Sequence, residues 1–242
     1  MNENRIIYSV IIPAFNEEKS LPQTLESLKK AMSAVDFSGE AIVTDNNSTD
    51  KTREVAEKLG ARVVFEPVNQ IARSRNRGAR EAKGEYLIFL DADTTISPGL
   101  LRTALHKMMQ ENCCGGGAIV ALDRPPGLFG GKFLNFWTWL SRRFNIAAGC
   151  FIYVLKKAFD DIGGFDERIY ASEEVWFSRQ IKRWGRKNGK PFHLIEDQPV
   201  VTSARKLDHP LRAILATIMG VIMPFSIYSR TLCWFWYKRP SD

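Results

Sequence analysis

The sequence predicts an α/β fold: a mostly parallel sheet flanked by helices, with an apolar helical appendage at the C-terminus. Three observations carry this expectation. The first half of the chain alternates short apolar runs with stretches whose apolar residues recur at three- and four-residue intervals. Each of four such runs ends in polar or acidic residues. Composition is that of an ordinary globular protein, with 45% hydrophobic and 25% charged residues over 242 positions, enough for one large domain with a sizeable core.

The runs "YSVIIPAF", "AIVTDN", "RVVFEP" and "EYLIFLDAD" read as short buried strands. Between them, "EEKSLPQTLESLKKAMSAV", "TDKTREVAEKLG" and "QIARSRNRGAREAKG" read as helices. Strand and helix in alternation imply parallel strands joined by crossover helices. Ser48-Thr49-Asp50 supplies an N-cap for the second helix, and Gly60 a stop. Ser97-Pro98 opens another helix. After about Gly115 the pattern loosens. "GGGAIVALDRPPGLFGGKF" holds one strand, and "FLNFWTWLSRRF" is aromatic at helical spacing. "CFIYVLKKAFDDIGGFDE" reads as strand, short helix and turn, and "SEEVWFSRQIKRWGRKNG" as an amphipathic helix. No internal repeat or low-complexity segment interrupts this order.

In an open sheet of this kind ligands collect outside the carboxyl ends of the strands. The residues placed there are Asn16-Glu17, Asp45-Asn46-Asn47, Glu66, and Asp91 with Asp93. On an extended chain residues i and i+2 point the same way, so Asp91 and Asp93 are expected to present two hard oxygen ligands to one spot. That suits a divalent cation, which in turn neutralises a diphosphate. The alternative for an isolated Asp-x-Asp triplet is a helix cap.

Taken together, "VIIPAFNEE", "VTDNNSTD", "ARSRNRGAREAKGEYLIFLDAD", "GGFDE" and "SEEVWFSRQIKRWG" resemble glycosyltransferase family 2, in that family's order, over roughly residues 6 to 203. The resemblance implies a Rossmann-like GT-A fold and inverting transfer from a nucleoside-diphosphate sugar, with UDP favoured. It places Pro13, Ala14, Phe15 and Glu17 at the nucleoside pocket, Asp45 at the base edge, Arg75 by the nucleotide, Asp91 by the ribose and diphosphate, and Asp93 on Mg²⁺ or Mn²⁺. Asn46 stands where the family commonly has Asp, and Asn47 where it has Gly.

Inverting transfer also needs a carboxylate across the sugar from the metal, to take the proton of the attacking acceptor hydroxyl. The family's Glu-Asp pair aligns with Glu173 and Glu174, which puts Glu174 at the base position and Glu there in place of the usual Asp. The structural alternative for the pair is helix-start charge favoured by the macrodipole. Arg205 and Lys206 are candidates for neutralising phosphate, and His209 for a third metal ligand. His106, in a helical stretch, and His193, in a strand, are read as structural.

Other patterns are set aside. "QIKRW", Gln180 to Trp184, begins six residues after Glu174 on one helix, which puts Trp184 on the apolar face and Arg183 in solvent. Gly115 to Gly117 are no dinucleotide fingerprint, because no G-x-G-x-x-G follows the first strand, and no Walker A run exists. Cys113, Cys114, Cys150 and Cys233 show no C-x-x-C spacing and are read as reduced thiols.

The balance of 34 Lys+Arg against 27 Asp+Glu leaves +7, which favours an anionic partner: a nucleotide, a phosphate or an acidic membrane surface. No nucleic-acid partner is expected. "MNENRIIYSV" lacks a signal-peptide core, so a cytoplasmic protein is expected. The domain reading is 1–206 as the catalytic domain and 207–242 as an apolar helical segment. Within that segment Ala213 to Ser229 is an uncharged run of 17 residues flanked by Arg212 and Arg230 and followed by "WFWYKRP". It is short against the roughly 20 residues a spanning helix needs, and Pro224 interrupts it. It is therefore read as lying at the cytoplasmic face of a membrane, beside a hydroxyl or lipid-linked acceptor, or as packing on the catalytic domain or forming a homodimer interface. Acceptor selection is expected in Asp123 to Cys150. Two rivals share the nucleotide-binding sheet: a sugar-nucleotide nucleotidyltransferase, which should carry a Gly-rich basic loop where "PAFNEEKS" stands, and a non-catalytic nucleotide-binding module.

Overall fold

A computed structural model describes residues 5–125, 128–207, 228, 229, 231 and 233. Strand β1 (Tyr8–Ala14) lies between β2 (Gly39–Asp45) and β4 (Tyr86–Leu90), and β3 (Arg62–Phe65) extends the sheet beyond β2; all of these pairings are parallel. The connecting helices are α1 (Leu21–Ser33), α2 (Thr52–Lys58) and α3 (Ile71–Glu81). α1 carries Pro22 in its first turn and buries Leu21, Leu25, Leu28 and Ala31 along one stripe. α2 begins at Thr52, later than the expected cap, and of the three candidates Asp50 accepts the Thr52 N–H at 2.9 Å. Gly60 follows with φ +85°, the left-handed turn that ends the helical path.

The second half reverses the sheet. β5 (Thr94–Thr95) and α4 (Pro98–Met109), capped by Ser97 accepting from the Leu100 N–H at 3.0 Å, lead to β6 (Gly115–Leu122) and α5 (Leu128–Phe144). β7 (Phe151–Leu155) then pairs antiparallel with both β4 and β6. After α6 (Lys156–Ile162) and α7 (Glu173–Lys187), β8 (Phe192–Thr202) pairs parallel with β6 and antiparallel with β5. The order is β3-β2-β1-β4-β7-β6-β8-β5, a mixed sheet whose parallel half is the one legible from the alternation of periods.

Strand alternation divides the core in two. Val10, Ile12, Ile88 and Leu90 face α1 and α4. Ile11, Leu87 and Phe89 face the other side, where Phe89, Phe159, Phe165 and Phe177 cluster and the last pair stack at 4.1 Å. Gly115 to Gly117 are a packing device. A Cβ at Gly116 would lie 1.8 Å from the His193 carbonyl oxygen, so only glycine lets β6 run between β7 and β8 there. The four cysteines form no disulfide and are buried.

Candidate active site

The carboxyl ends of β1, β2 and β4 meet at one edge, and two loops are laced together over it. The Asn16 N–H donates to Ser48 Oγ at 3.1 Å, Glu17 N–H to Thr52 Oγ1 at 2.7 Å, and Glu18 N–H to Asp50 Oδ2 at 3.1 Å. Asn16 Oδ1 in return accepts the Thr49 N–H at 2.8 Å. Pro13 and Ala14 pair with Thr44 and Asp45 across the β1–β2 ladder, and Phe15 and Glu17 follow directly. Buried Asp45 accepts the Ser48 N–H at 3.0 Å.

The two departures from the family pattern have local explanations. Asn47 has φ +64°, a left-handed conformation that Gly adopts freely and Asn tolerates. Buried Asn46 uses its amide at both ends: Nδ2 donates to the carbonyls of Glu66 at 3.1 Å and Val68 at 2.6 Å, and Oδ1 accepts the Gln70 N–H at 2.9 Å. A carboxylate has no such donors. Asn46→Asp is therefore expected to cost about 1–3 kcal/mol, the penalty for buried groups left unsatisfied. Urea unfolding checks this, and a midpoint equal to wild type would refute it.

Arg75 is the hub. It is 1% exposed, and its Nη1 donates to Glu173 Oε1 at 2.6 Å. Its Nη2 donates to Asp91 Oδ1 at 3.1 Å and to the Gly149 carbonyl at 2.8 Å. The guanidinium also lies 5.1 Å over the Phe165 ring. Burial works against its charge, and the carboxylates of Glu173, Asp91 and Glu174 outweigh burial, so it is held protonated. One buried cation thus ties the end of β4 to the start of α7, with Gly149 between them. A Cβ at Gly149 would come within 3.3 Å of Arg75 Nη2 and 3.7 Å of Glu174.

Glu173 and Glu174 share a helix start but not an environment. Glu173 is buried and spent on Arg75. Glu174 is half-buried beside Gly149. Desolvation, with the charge of Glu173 second, pushes its carboxyl up to about 8. Ser172, just before them, has φ +60°, an uncommon conformation for a non-glycine residue.

The Asp91–Asp93 triplet lies in a turn after β4 rather than on extended chain, so the expected i, i+2 alignment is replaced by a split. Asp91 takes Arg75, and Asp93 Oδ2 lies 2.9 Å from Arg205 Nη2, which also pairs with Glu17. The Asp93 carbonyl accepts the Ser203 N–H at 3.1 Å, which ties the turn to the end of β8. Among the described residues no group of three or more His, Cys, Asp or Glu side chains could hold a metal by itself. The side chain of Lys206, His209 and most of 207–242 lie outside the described residues.

Other residues of the site carried no sequence assignment. Asn76 holds Phe165 at both backbone ends, donating to its carbonyl and accepting its N–H, each at 2.9 Å. Gln70 Nε2 donates to the carbonyls of Glu167 at 2.7 Å and Ile169 at 3.1 Å, and Arg73 pairs with Glu167 at 3.0 Å. α3 therefore holds the "GGFDE" loop that delivers α7. The helical spacing of Gln70, Arg73 and Asn76 was a signal available in the sequence; Gly149 offered none. Of the set-aside residues, exposed His106 lies 3.3 Å from Glu111, the His193 backbone carbonyl accepts from the Tyr153 hydroxyl, and Trp184 donates to Asp161.

The family model described as Glycosyl transferase family 2 matches residues 9–163. The chain belongs to glycosyl transferase family 2. A GalNAc(5)-diNAcBac-PP-undecaprenol beta-1,3-glucosyltransferase of Campylobacter jejuni is 30% identical over 179 residues, 68% of this chain and 56% of the relative. An uncharacterized glycosyltransferase of Mycobacterium tuberculosis is 33% identical over 135 residues, 55% and 54% of the two chains. The chain thus spans about half the length of these curated relatives. Among solved structures, Staphylococcus aureus TarS 1-349 in complex with UDP-GlcNAc superposes with TM-score 0.63 at 23% identity, covering 82% of this chain and 58% of that one. Glucosyl-3-phosphoglycerate synthase of Mycobacterium tuberculosis, in complex with Mn²⁺, UDP and glucosyl-3-phosphoglycerate, gives TM-score 0.61 at 21% identity, covering 89% and 79%. These likenesses support the GT-A-like fold of this family 2 chain. Among its described residues no helix is long and apolar enough to cross a membrane.

Proposed function

We propose that this family 2 protein is an inverting, metal-dependent glycosyltransferase that transfers a sugar from a UDP-sugar to an acceptor hydroxyl or phosphate, with a lipid-linked acceptor favoured. The observation that carries the reading is the gathering of Asp91, Glu173 and Glu174 around the buried Arg75, with Asp45 at the end of β2 and Asp93 in the turn that also holds Asp91. The UDP and UDP-GlcNAc named in structural neighbours support the donor, and the undecaprenol-linked substrate in one relative's name supports the acceptor class.

The donor set fits Mg²⁺ or Mn²⁺. Asp93 and Glu17 already draw a cation, the guanidinium of Arg205, so the spot between them favours positive charge. Asp93 and Asp91, hard carboxylates of one turn, suit an ion that takes its remaining oxygens from diphosphate and water. When bound, the metal neutralises charge on the leaving diphosphate. On this reading the chain's own residues take the following parts. Pro13, Ala14, Phe15 and Glu17 line the nucleoside side, with Asp45 at the base edge. Asp91, held by Arg75, faces the ribose and diphosphate, and Asp93 is the metal ligand, with His209 a further candidate. Arg205, with Lys206, moves from the carboxylates to the phosphates. Glu174 accepts the acceptor's proton, and Glu173 orients it through Arg75.

The testing experiment is a thermal-shift screen of UDP-, GDP- and dTDP-sugars with and without Mn²⁺. UDP-sugars are expected to stabilise wild type in a metal-dependent way, and Asp93→Ala to abolish the metal-dependent part. Unchanged nucleotide affinity with and without Mn²⁺ in that variant would sink the metal assignment. The uncharged run Ala213 to Ser229 is assigned to a membrane surface, and flotation of the full chain with anionic vesicles tests it.

A further inference from the structure

α5 turns an unusual face to solvent. Lys132, Phe136, Trp139 and Arg143 recur at i, i+4, i+7 and i+11, which places them on one narrow stripe of the helix. All four are exposed, Phe136 by 55% and Trp139 by 57%, and the two rings stack with centroids 6.0 Å apart. Phe144, 51% exposed, lies under the Arg143 guanidinium at 5.5 Å. The opposite side is already engaged: Ser141 is buried, its hydroxyl donating to the Ile146 carbonyl at 2.6 Å, and Trp137 packs on the core. Beside the stripe is a cleft of about 450 Å³ lined by Asn135, Thr138, Trp139, Arg142 and Arg143.

We propose that this face of α5 docks on an anionic phospholipid surface, with Phe136 and Trp139 entering the headgroup zone and Lys132, Arg142 and Arg143 meeting lipid phosphates. Charge complementarity singles out this occupant. The segment Leu128–Phe144 contains three cations and no Asp or Glu, on a chain of net charge +7. Arg142 does pair with Glu196 at 3.0 Å, but both side chains are more than half exposed, so the pair is weak and exchangeable. Aromatic rings level with basic side chains match the interfacial belt of a bilayer, where the ring stays shallow and the cation stays wet. The inner face is committed to the protein, so contact is peripheral.

The consequence for the site is positional. Past α5 the Ala147 N–H donates to Ser178 Oγ of α7 at 3.3 Å, and Lys182 of α7 donates to the Phe144 carbonyl at 2.8 Å. Gly149, two residues further, accepts from Arg75 at 2.8 Å and lies where an added Cβ would come within 3.7 Å of Glu174. A surface bound along α5 is thereby held in fixed relation to Glu174. The inference extends the membrane part of the proposed function to residues other than the C-terminal run.

The experiment is flotation of the full chain with phosphatidylcholine vesicles and with vesicles that also contain phosphatidylglycerol. Wild type is expected to bind the anionic vesicles and release with salt. F136S/W139S and R142Q/R143Q should each weaken binding about tenfold or more, on the scale expected for removing two basic contacts, while UDP-sugar thermal shifts stay unchanged. Brominated lipid should quench fluorescence in wild type more than in W139F. Absence of vesicle binding in wild type would overturn the inference. So would undiminished binding by both double variants together with its loss in I218D/I222D, which would leave the C-terminal run as the sole contact. A change of oligomeric state in F136S/W139S, or a raised KM for a soluble acceptor with vesicle binding intact, would assign the face to a second copy or to the acceptor instead.

Discussion

Glu174→Gln is expected to lower turnover by about 10²-fold or more while UDP-sugar affinity holds, the usual scale for losing acid-base assistance. Glu173→Gln should act differently, because Glu173 is bound to Arg75 and its loss disturbs the position of the site rather than removing its base. The pH dependence follows from the environment of Glu174. A base works only when ionised, and burial with the Glu173 charge pushes this carboxyl up to about 8. The free enzyme's kcat/KM should therefore rise with pH and level off above about 8, and Glu174→Gln should lack that limb. Stability carries the opposite sign. The folded state holds the Glu174 proton more tightly than the unfolded chain, so its contribution is complete below about pH 4.5 and is lost as pH rises through about 8. The Gln variant should lose less stability at pH 9 than wild type. Near-wild-type turnover in Glu174→Gln, with a large loss in Glu173→Gln alone, would move the base one residue back. Loss of activity with donor binding retained would also argue against a non-catalytic binding module.

Arg75→Met is expected to destabilise the fold by about 3–5 kcal/mol, the cost of stripping a buried ion cluster of one partner. The substitution keeps much of the side chain's bulk but leaves Glu173 and Asp91 facing each other's charge without the guanidinium between them. Denaturant unfolding measures the loss. The double variant Arg75→Met/Glu173→Gln should recover part of it, because the two residues interact directly. A single variant within about 0.5 kcal/mol of wild type, the range of ordinary surface substitutions, would show that solvent reaches the cluster and that Arg75 is not the hub described above.

Much of this protein could be read along the chain. Alternation of periods is a local property, so the parallel half of the sheet, with β1, β2, β3, β4 and the helices between them, was legible from apolar spacing alone. So was the concentration of Asp45, Asp91 and Asp93 at one edge, because parallel strands send all their carboxyl ends the same way. The family followed from five short motifs in order. The reversal at β7, the two-residue strand β5 and the close passage of β6 at Gly116 were not legible. Pairing direction depends on which strands meet, and the meeting of β4 with β7 joins residues some sixty positions apart.

The same division holds within the site. Residue types and spacing determined that carboxylates would gather at the sheet edge and that an acidic pair would open a late helix. Only the tertiary structure decided how the charges are shared. Arg75 reaches Asp91, Gly149 and Glu173 across three separate segments, and Arg205 takes Asp93, from the same turn as Asp91, together with Glu17 from the loop after β1. That partition separates Glu173, spent on an ion pair, from Glu174, desolvated and raised in pKa, although the two are neighbours of identical chemistry. Sequence specifies which groups exist and how far apart they lie along the chain. Desolvation and Coulomb energy depend on distances through space, and those are set only when the segments pack.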